Sequence, residues 1–242
     1  MFVKKIINKL VRLIQKPQLP FQLFENLSYS QSGEDIIIDY IFRLRKISLP
    51  TFIDLGSNHP FSLNNTFLFY KRGSRGVNVD ANANLIKLFD QYRPQDKNIN
   101  LGVSDKAGQL DFYIISDPAL STFLEEEALM HQNYGRTIIA KIPVQMKSID
   151  SIVYDYCGGV YPDLVSIDVE GLDYLIIASM NLTRSKPKVI CIETVEFTSN
   201  GTGKKRVDLI KAVVNKGYTL YADTNINSIF VENNFWFNYS NH

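Results

Sequence analysis

The chain has few of the groups that bind transition metals. Its 242 residues include two cysteines, Cys157 and Cys191, and three scattered histidines. A zinc site needs more such ligands at tight spacing, so none is expected. The two cysteines sit in or near apolar segments and are expected to be reduced, buried thiols of a cytoplasmic protein. No apolar run approaches the roughly 20 residues that span a bilayer. The first residues make a poor secretory signal, because charge interrupts their apolar positions and no small-residue cleavage site follows. Charge of one sign is lacking too. Lysine and arginine total 26 against 25 acidic residues, for a net charge of +1. The whole molecule is therefore not a polybasic binder, and no nucleic-acid partner is expected. Finally, the chain lacks the G-x-G-x-x-G run of dinucleotide-binding folds.

What is present begins with residues 1–20, which have the pattern of an amphipathic basic helix. Val3, Ile7, Leu10 and Ile14 make one stripe, and Lys5, Lys9, Arg12 and Lys16 make the opposite one. Pro17 and Pro20 end it. Such a helix packs on its own domain, packs on a second subunit of a homo-oligomer, or lies on the inner face of a membrane. The pattern leaves these alternatives open.

Residues 21–242 read as a single domain. Ser30-Gln31-Ser32-Gly33-Glu34-Asp35 precedes an apolar helix, with Ser32 as its cap and Glu34 and Asp35 favoured in its first turn. Short apolar runs then alternate with amphipathic stretches. Strands are expected at Thr51–Leu55, Arg75–Asp80, Ile99–Val103, Asp163–Gly171 and Lys188–Glu193, with helices between them. Gln109–Ile114 reads as an extra strand, and residues 116–141 as a long irregular stretch. Tyr218–Tyr221 and Ser228–Val231 read as an antiparallel C-terminal hairpin. The pattern implies an α/β, Rossmann-like fold: a mostly parallel central sheet with helices on both faces.

In such sheets ligands bind at the carboxyl ends of the strands. Those ends here carry Asp54-Leu55-Gly56-Ser57-Asn58, Asp80-Ala81, Ser104-Asp105, Asp168-Val169-Glu170-Gly171 and Glu193. Carboxylates recurring in one layer point to a polar pocket, because a charge there must be solvated, paired or bound to a ligand. Gly56 allows close backbone approach to a ligand. Asp80 stands where an acid can take both hydroxyls of a ribose. Pro60 has no N–H to offer a phosphate, so a ligand with a ribose and no phosphate fits better.

The segments Ser30–Asp35, Phe52–Asn58, Gly102–Gly108, Met146–Ser151 and Ser166–Gly171 together resemble, in order, the motifs of FkbM-family methyltransferases. Within the loop after the first strand, Ser57 and Pro60 stand where that family has alanine and glycine. The resemblance implies a class I methyltransferase fold and S-adenosylmethionine (SAM) as methyl donor. It implies a small-molecule or glycan acceptor, with O-methylation of a sugar hydroxyl as the reaction. Carried over to this sequence, it puts Asp54, Gly56 and Asn58 on the methionine side, Asp80 on the ribose, and Ser104 and Asp105 on the adenine edge. Gln31, Ser57, Ala81 and Asp168 complete the expected donor site.

Asp168 is the expected base, with Glu170 positioning it or holding substrate, and Glu193 a third candidate. Two carboxylates spaced two apart on one strand project to the same side. Their mutual repulsion suits a base, and equally they offer oxygen ligands to Mg²⁺. Tyr113, Phe123, His131 and Tyr134 either stack on a sugar or pack in the core, and His59 is a lesser candidate base. The rival readings are a nicotinamide-dependent oxidoreductase and a non-catalytic SAM-binding protein.

Overall fold

A computed structural model of the chain describes residues 26–196, 198 and 202–238. The striped segment at residues 1–20 lies outside the described residues. In chain order the elements are α1 (Glu34–Leu44), β1 (Phe52–Leu55), α2 (Phe67–Arg72), β2 (Gly76–Asp80), α3 (Ala83–Tyr92), β3 (Lys97–Asn100), β4 (Gly102–Ser104) and β5 (Gly108–Ile115). They continue through α4 (Glu125–Asn133), β6 (Ile138–Ser148), α5 (Ile149–Cys157), β7 (Leu164–Ile167), α6 (Asp173–Ser179), β8 (Val189–Glu193), α7 (Val207–Asn215), β9 (Tyr218–Asp223), β10 (Asn227–Glu232) and α8 (Asn233–Phe237).

Seven strands form the main sheet in the order β3-β2-β1-β7-β8-β10-β9. The five from β3 to β8 are parallel. The C-terminal hairpin adds β10 and β9 antiparallel. Strand order reverses between β1 and β7, which opens a crevice at their carboxyl ends.

Alternation along each strand divides the core between the two faces. Ile53, Leu55, Val165, Ile167, Ile190, Ile192 and Phe230 meet Ile152, Ile176 and Leu209 from α5, α6 and α7. The intervening Phe52, Leu164, Val189, Cys191, Ile229 and Val231 meet Ile38, Ile41 and Phe42 of α1 and Phe69 of α2. Cys191 and Cys157 are free thiols, the first fully buried. Among the described residues no helix is long and apolar enough to cross a membrane.

The structure corrects four readings. Ile99–Val103 is not one strand. The chain leaves the main sheet at Leu101, and β4 joins a separate sheet of order β4-β6-β5. Asn100 fixes the departure, since its side-chain amide donates to the carbonyls of Asp80 and Ala81, both at 2.9 Å. The apolar alternation runs straight through this break and hides it. Second, the run Asp163–Gly171 contains only the four-residue strand β7. Third, Gly33 in a left-handed conformation, not Ser32, precedes α1. The Ser30 hydroxyl accepts the N–H groups of Gly33 and Asp35 instead. Fourth, the irregular stretch holds helix α4 and a 3-10 turn at Pro118–Leu120, and β6 begins at Ile138.

Candidate functional site

The loops after β1 and β7 touch backbone to backbone. Gly56 has φ +74°, and a Cβ there would lie 1.7 Å from the carbonyl oxygen of Asp168. Only glycine fits. The Gly56 and Ser57 N–H groups both donate to the Val79 carbonyl, at 2.9 and 3.1 Å, and the Asp168 N–H donates to Leu55 at 2.9 Å. The first loop is thus stitched to the strands on either side of it.

Asp80 ends β2 and is 8% exposed. Its two carboxylate oxygens accept the N–H of Asn58 at 2.8 Å and of Asn82 at 2.7 Å. Burial raises its pKa to about 6 against these two bonds. Asp54 is tied in more deeply. It accepts from the Thr66 hydroxyl at 2.9 Å and the Asn64 amide at 3.2 Å. Behind them Arg93, wholly buried, is paired with Asp96 at 2.8 Å and donates to Asn64 and Thr66. Burial raises the Asp54 pKa, and the Arg93 charge opposes the shift. Nothing in the sequence reading singled out this buried network, which sets the loop between β1 and α2.

Beyond β7 the chain does not continue as a strand. Glu170 has φ +51° and Gly171 φ +99°, two successive left-handed residues. This turn, rather than strand alternation, folds Glu170 back towards Asp168. One oxygen from each of Asp168, Glu170 and Glu193 lies within 4.8 Å of the others. The turn is pinned twice. Asp173 accepts the Val169 N–H at 3.2 Å and pairs with Arg206 at 3.1 Å, and the Thr122 hydroxyl lies 3.0 Å from the Glu170 carbonyl.

Asp168 Oδ1 is buried and makes no hydrogen bond. Burial raises the Asp168 pKa to about 7, helped by the charges of Asp173 and Asp54. Burial and then Asp168 raise Glu193 to about 9. Glu170 is pushed well above the usual range by burial and by both neighbours.

These loops surround a cavity of about 210 Å³. It gathers Gln31, Asp54, Gly56, Ser57, Asn58, Asp80, Ala81, Asp168, Glu170 and Glu193. Ser104 and Asp105 are not in its lining. The break after β3 carries them away, and Leu101, Gly102 and Val103 occupy that wall. Of the aromatic candidates, Phe123 lines the cavity and packs against Phe112 with its ring tilted, the ring centres 4.8 Å apart. Tyr113, His131 and Tyr134 do not line it, nor does His59, whose Nδ1 accepts from the Ser62 N–H at 3.2 Å.

The sequence reading missed Asn64, Asn65, Ser166, Phe112 and the segment Pro118–Ser121 as lining residues. Ser166 carried a usable signal, being two residues before Asp168 on the same strand. The two asparagines carried none. Gln31 reaches the rim because its neighbours are clamped. Asp35 takes the Ser28 and Ser30 hydroxyls, and Glu34 takes Thr224 and Asn227 of the C-terminal hairpin. Burial would raise the Glu34 pKa, and these bonds together lower it.

Residues 54–229 match the model of the methyltransferase FkbM domain. No curated protein matches the chain. Among solved structures, a methyltransferase FkbM from Methylobacillus flagellatus KT is 10% identical with TM-score 0.45, over 76% of this chain and 44% of that one. The chain thus spans less than half the length of that relative. A putative caffeoyl-CoA O-methyltransferase from Staphylococcus aureus is 9% identical with TM-score 0.44, over 94% and 91% of the two chains. The 1,6-didemethyltoxoflavin-N1-methyltransferase of Burkholderia thailandensis, solved with S-adenosylhomocysteine, is 10% identical with TM-score 0.40, over 83% and 77%.

Proposed function

The chain belongs to the FkbM methyltransferase domain family, and we propose that it is a SAM-dependent O-methyltransferase acting on a hydroxyl of a sugar or glycan. One observation carries the reading. A single cavity holds both a glycine cradle with an acid at the end of β2 and a carboxylate trio with an unpartnered oxygen. Family membership sets aside the nicotinamide alternative. The trio favours catalysis over mere binding, since a buried carboxylate oxygen without a partner is costly to keep.

The donor fits the residues present. Gly56 admits close approach, and Asp80 offers acceptors to a diol. Ala81, Leu101, Val103 and Phe123 make an apolar wall for a flat base. Gln31, Asp54, Ser57 and Asn58 complete the donor side, with Leu101–Val103 replacing Ser104 and Asp105 at the adenine edge. SAM supplies a methyl group bound to a positively charged sulfur. Asp168 takes the acceptor hydroxyl's proton as the new C–O bond forms and the C–S bond breaks, its electron pair staying on sulfur. Glu170 and Glu193 orient the acceptor and share the proton. Alignment by these residues supplies much of the rate.

A second reading puts Mg²⁺ among Asp168, Glu170 and Glu193, and the approach of their oxygens within 4.8 Å favours it. We read the free thiols Cys157 and Cys191 as going with a cytoplasmic location. Residues 1–20 then serve as contact to a membrane-linked acceptor or a second subunit, outside one domain that begins at residue 21.

The test is S-adenosylhomocysteine (SAH) release from SAM against sugars, nucleotide-sugars and glycolipids, with and without chelator. Turnover with a hydroxyl acceptor, unaffected by chelation, is expected. Loss on chelation, restored by Mg²⁺, moves the mechanism to the metal. Failure to bind SAM removes the donor assignment.

A further inference from the structure

The second half of α1 and the turn after it present a different chemistry from the acidic cavity. Tyr40 and Leu44, one helical turn apart, are 49% and 45% exposed. Arg43 and Lys46 beside them are exposed as well. Arg45 reaches across to α8. Its guanidinium lies 4.2 Å from the centre of the Trp236 ring and donates to the Trp236 carbonyl. Trp236 in turn meets Tyr221 of β9 edge to face, with ring centres 5.1 Å apart. Burial and then the nearness of Tyr40 raise the Tyr221 pKa, so α1 and β9 lie side by side here. Phe237, next to Trp236, is 66% exposed. Parts of α1, β9 and α8 therefore share one surface of aromatic and aliphatic side chains.

The charge of this surface is largely of one sign. Residues 39–46 hold Arg43, Arg45 and Lys46 against one acid, Asp39. The side chain of that acid is 9% exposed and is shared between Arg43, at 2.9 Å, and Arg72 of α2. Neither α8 nor residues 218–222 of β9 include a charged residue. Cations thus gather here in a chain whose net charge is only +1.

Charge decides among the occupants of such a face. A second copy related by a two-fold axis would set these cations against their own counterparts. Residues 1–16 bring Lys4, Lys5, Lys9, Arg12 and Lys16 and no acid, so they too are repelled. An anionic bilayer carries the charge that both of these lack. It also suits the side chains. Tyrosine and tryptophan settle at the level of lipid headgroups, long basic side chains reach phosphates, and leucine and phenylalanine enter the acyl boundary. We propose that this face of α1, β9 and α8 docks the domain on an anionic phospholipid surface, with Tyr40, Leu44, Trp236 and Phe237 as its apolar contacts and Arg43 and Lys46 as its electrostatic ones.

The placement has a consequence for the cavity. Gln31 at the cavity rim stands three residues before the start of α1, and the 11 residues of α1 end in the docking face. Rim and docking face are therefore at opposite ends of one helix about 16 Å long. A docked domain keeps its cavity within reach of a headgroup. The docking itself does not depend on what the cavity binds.

Trp236 is the one tryptophan of the chain, so its fluorescence reports on this face alone. The experiment mixes the full chain with vesicles of phosphatidylglycerol or of phosphatidylcholine. Phosphatidylglycerol vesicles should carry the chain down on sedimentation. Trp236 emission should move to shorter wavelength and be quenched by brominated acyl chains. Phosphatidylcholine should do neither, and binding should weaken as salt rises. Lys46→Glu should reduce the affinity by about 10-fold or more, and Leu44→Ser by about 5-fold. Both side chains are exposed, and Tyr40→Ser takes the place of either variant that fails to fold. Sedimentation with Trp236 emission unchanged overturns the proposal and moves the contact to residues 1–16. Absence of binding to the anionic vesicles overturns it, as do variants that bind like the unaltered chain. Self-association without lipid that shifts Trp236 emission, seen by ultracentrifugation, overturns it in favour of a second copy.

Discussion

The two halves of the cavity are built on opposite principles. At the ends of β1 and β2, polar groups are satisfied by the protein itself. Asp80 holds two backbone N–H groups, Asp54 holds Thr66 and Asn64, and Arg93 closes the network behind them. At the ends of β7 and β8 the opposite is true. Asp168 keeps an oxygen without a partner, Glu170 sits in a left-handed conformation, and three acids crowd one another. A satisfied region is rigid and fits a ligand that arrives the same way every time. An unsatisfied one stores unfavourable energy that a substrate or a proton relieves. The division suggests positioning on the first side and chemistry on the second.

The strongest test of that division is Asp168→Asn. The substitution keeps the shape and removes the charge. Turnover should fall by roughly 10²–10⁴, the usual contribution of a positioned base, while SAM affinity stays within a few-fold. SAH release kinetics and calorimetry read the two quantities separately. Normal turnover would take Asp168 out of the mechanism and pass its role to Glu170 or Glu193.

The converse variant is Asp80→Ala. It should weaken SAM binding by about 10²- to 10⁴-fold, as two charge-assisted hydrogen bonds worth roughly 1.5–3 kcal/mol each are lost. At saturating SAM, turnover should stay close to that of the unaltered chain. Part of the lost affinity comes from the cradle, because the Asn58 and Asn82 N–H groups lose their acceptor. Unchanged affinity in calorimetry would remove Asp80 from the donor site. A fall in turnover with affinity intact would erase the contrast between the two sides.

Much of this contrast was legible in the sequence. Asp54, Gly56, Asp80, Asp168 and Glu193 stand near strand ends, and strand ends follow from apolar runs of fixed length. The order of motifs gave Gln31 and Asn58 as well. The failures have two physical causes. Ile99, Leu101 and Val103 alternate as a strand should, yet the chain switches sheets at Leu101, because side-chain bonds from Asn100 bend it away. Periodicity does not register such a bend. Asp168 and Glu170 were expected together for a strand reason and meet for a turn reason, through Glu170 and Gly171. The Arg93 network is the other kind of failure. It joins residues far apart in sequence, and no local pattern marks an arginine that will be buried.

The smallest effect concerns stability. Asp168 and Glu193 have ordinary values of 3.8 and 4.5, raised in the fold to about 7 and about 9. A raised carboxyl means that the folded state binds protons more tightly than the unfolded one. Its contribution is fully present below the ordinary value and is lost as pH rises through the folded value. For this pair the loss runs from about pH 4 to about pH 9. Asp80, raised to about 6, acts mainly in the lower part of that window, and Glu34, lowered, acts in the opposite sense below it. Between pH 6 and pH 9 the β7 and β8 side therefore dominates. Thermal unfolding of the ligand-free chain should show Tm falling by about 3–6 °C across that interval. Combining Asp168→Asn with Glu193→Gln should reduce the slope, because neither amide titrates, and leave the part that belongs to Glu170. Asp80→Asn should leave most of the slope in place, since its window lies lower. A Tm that is level or rising from pH 6 to pH 9 would mean that the carboxylates ionise freely in the fold, and the unsatisfied side of the cavity would then hold no stored cost for a substrate to relieve.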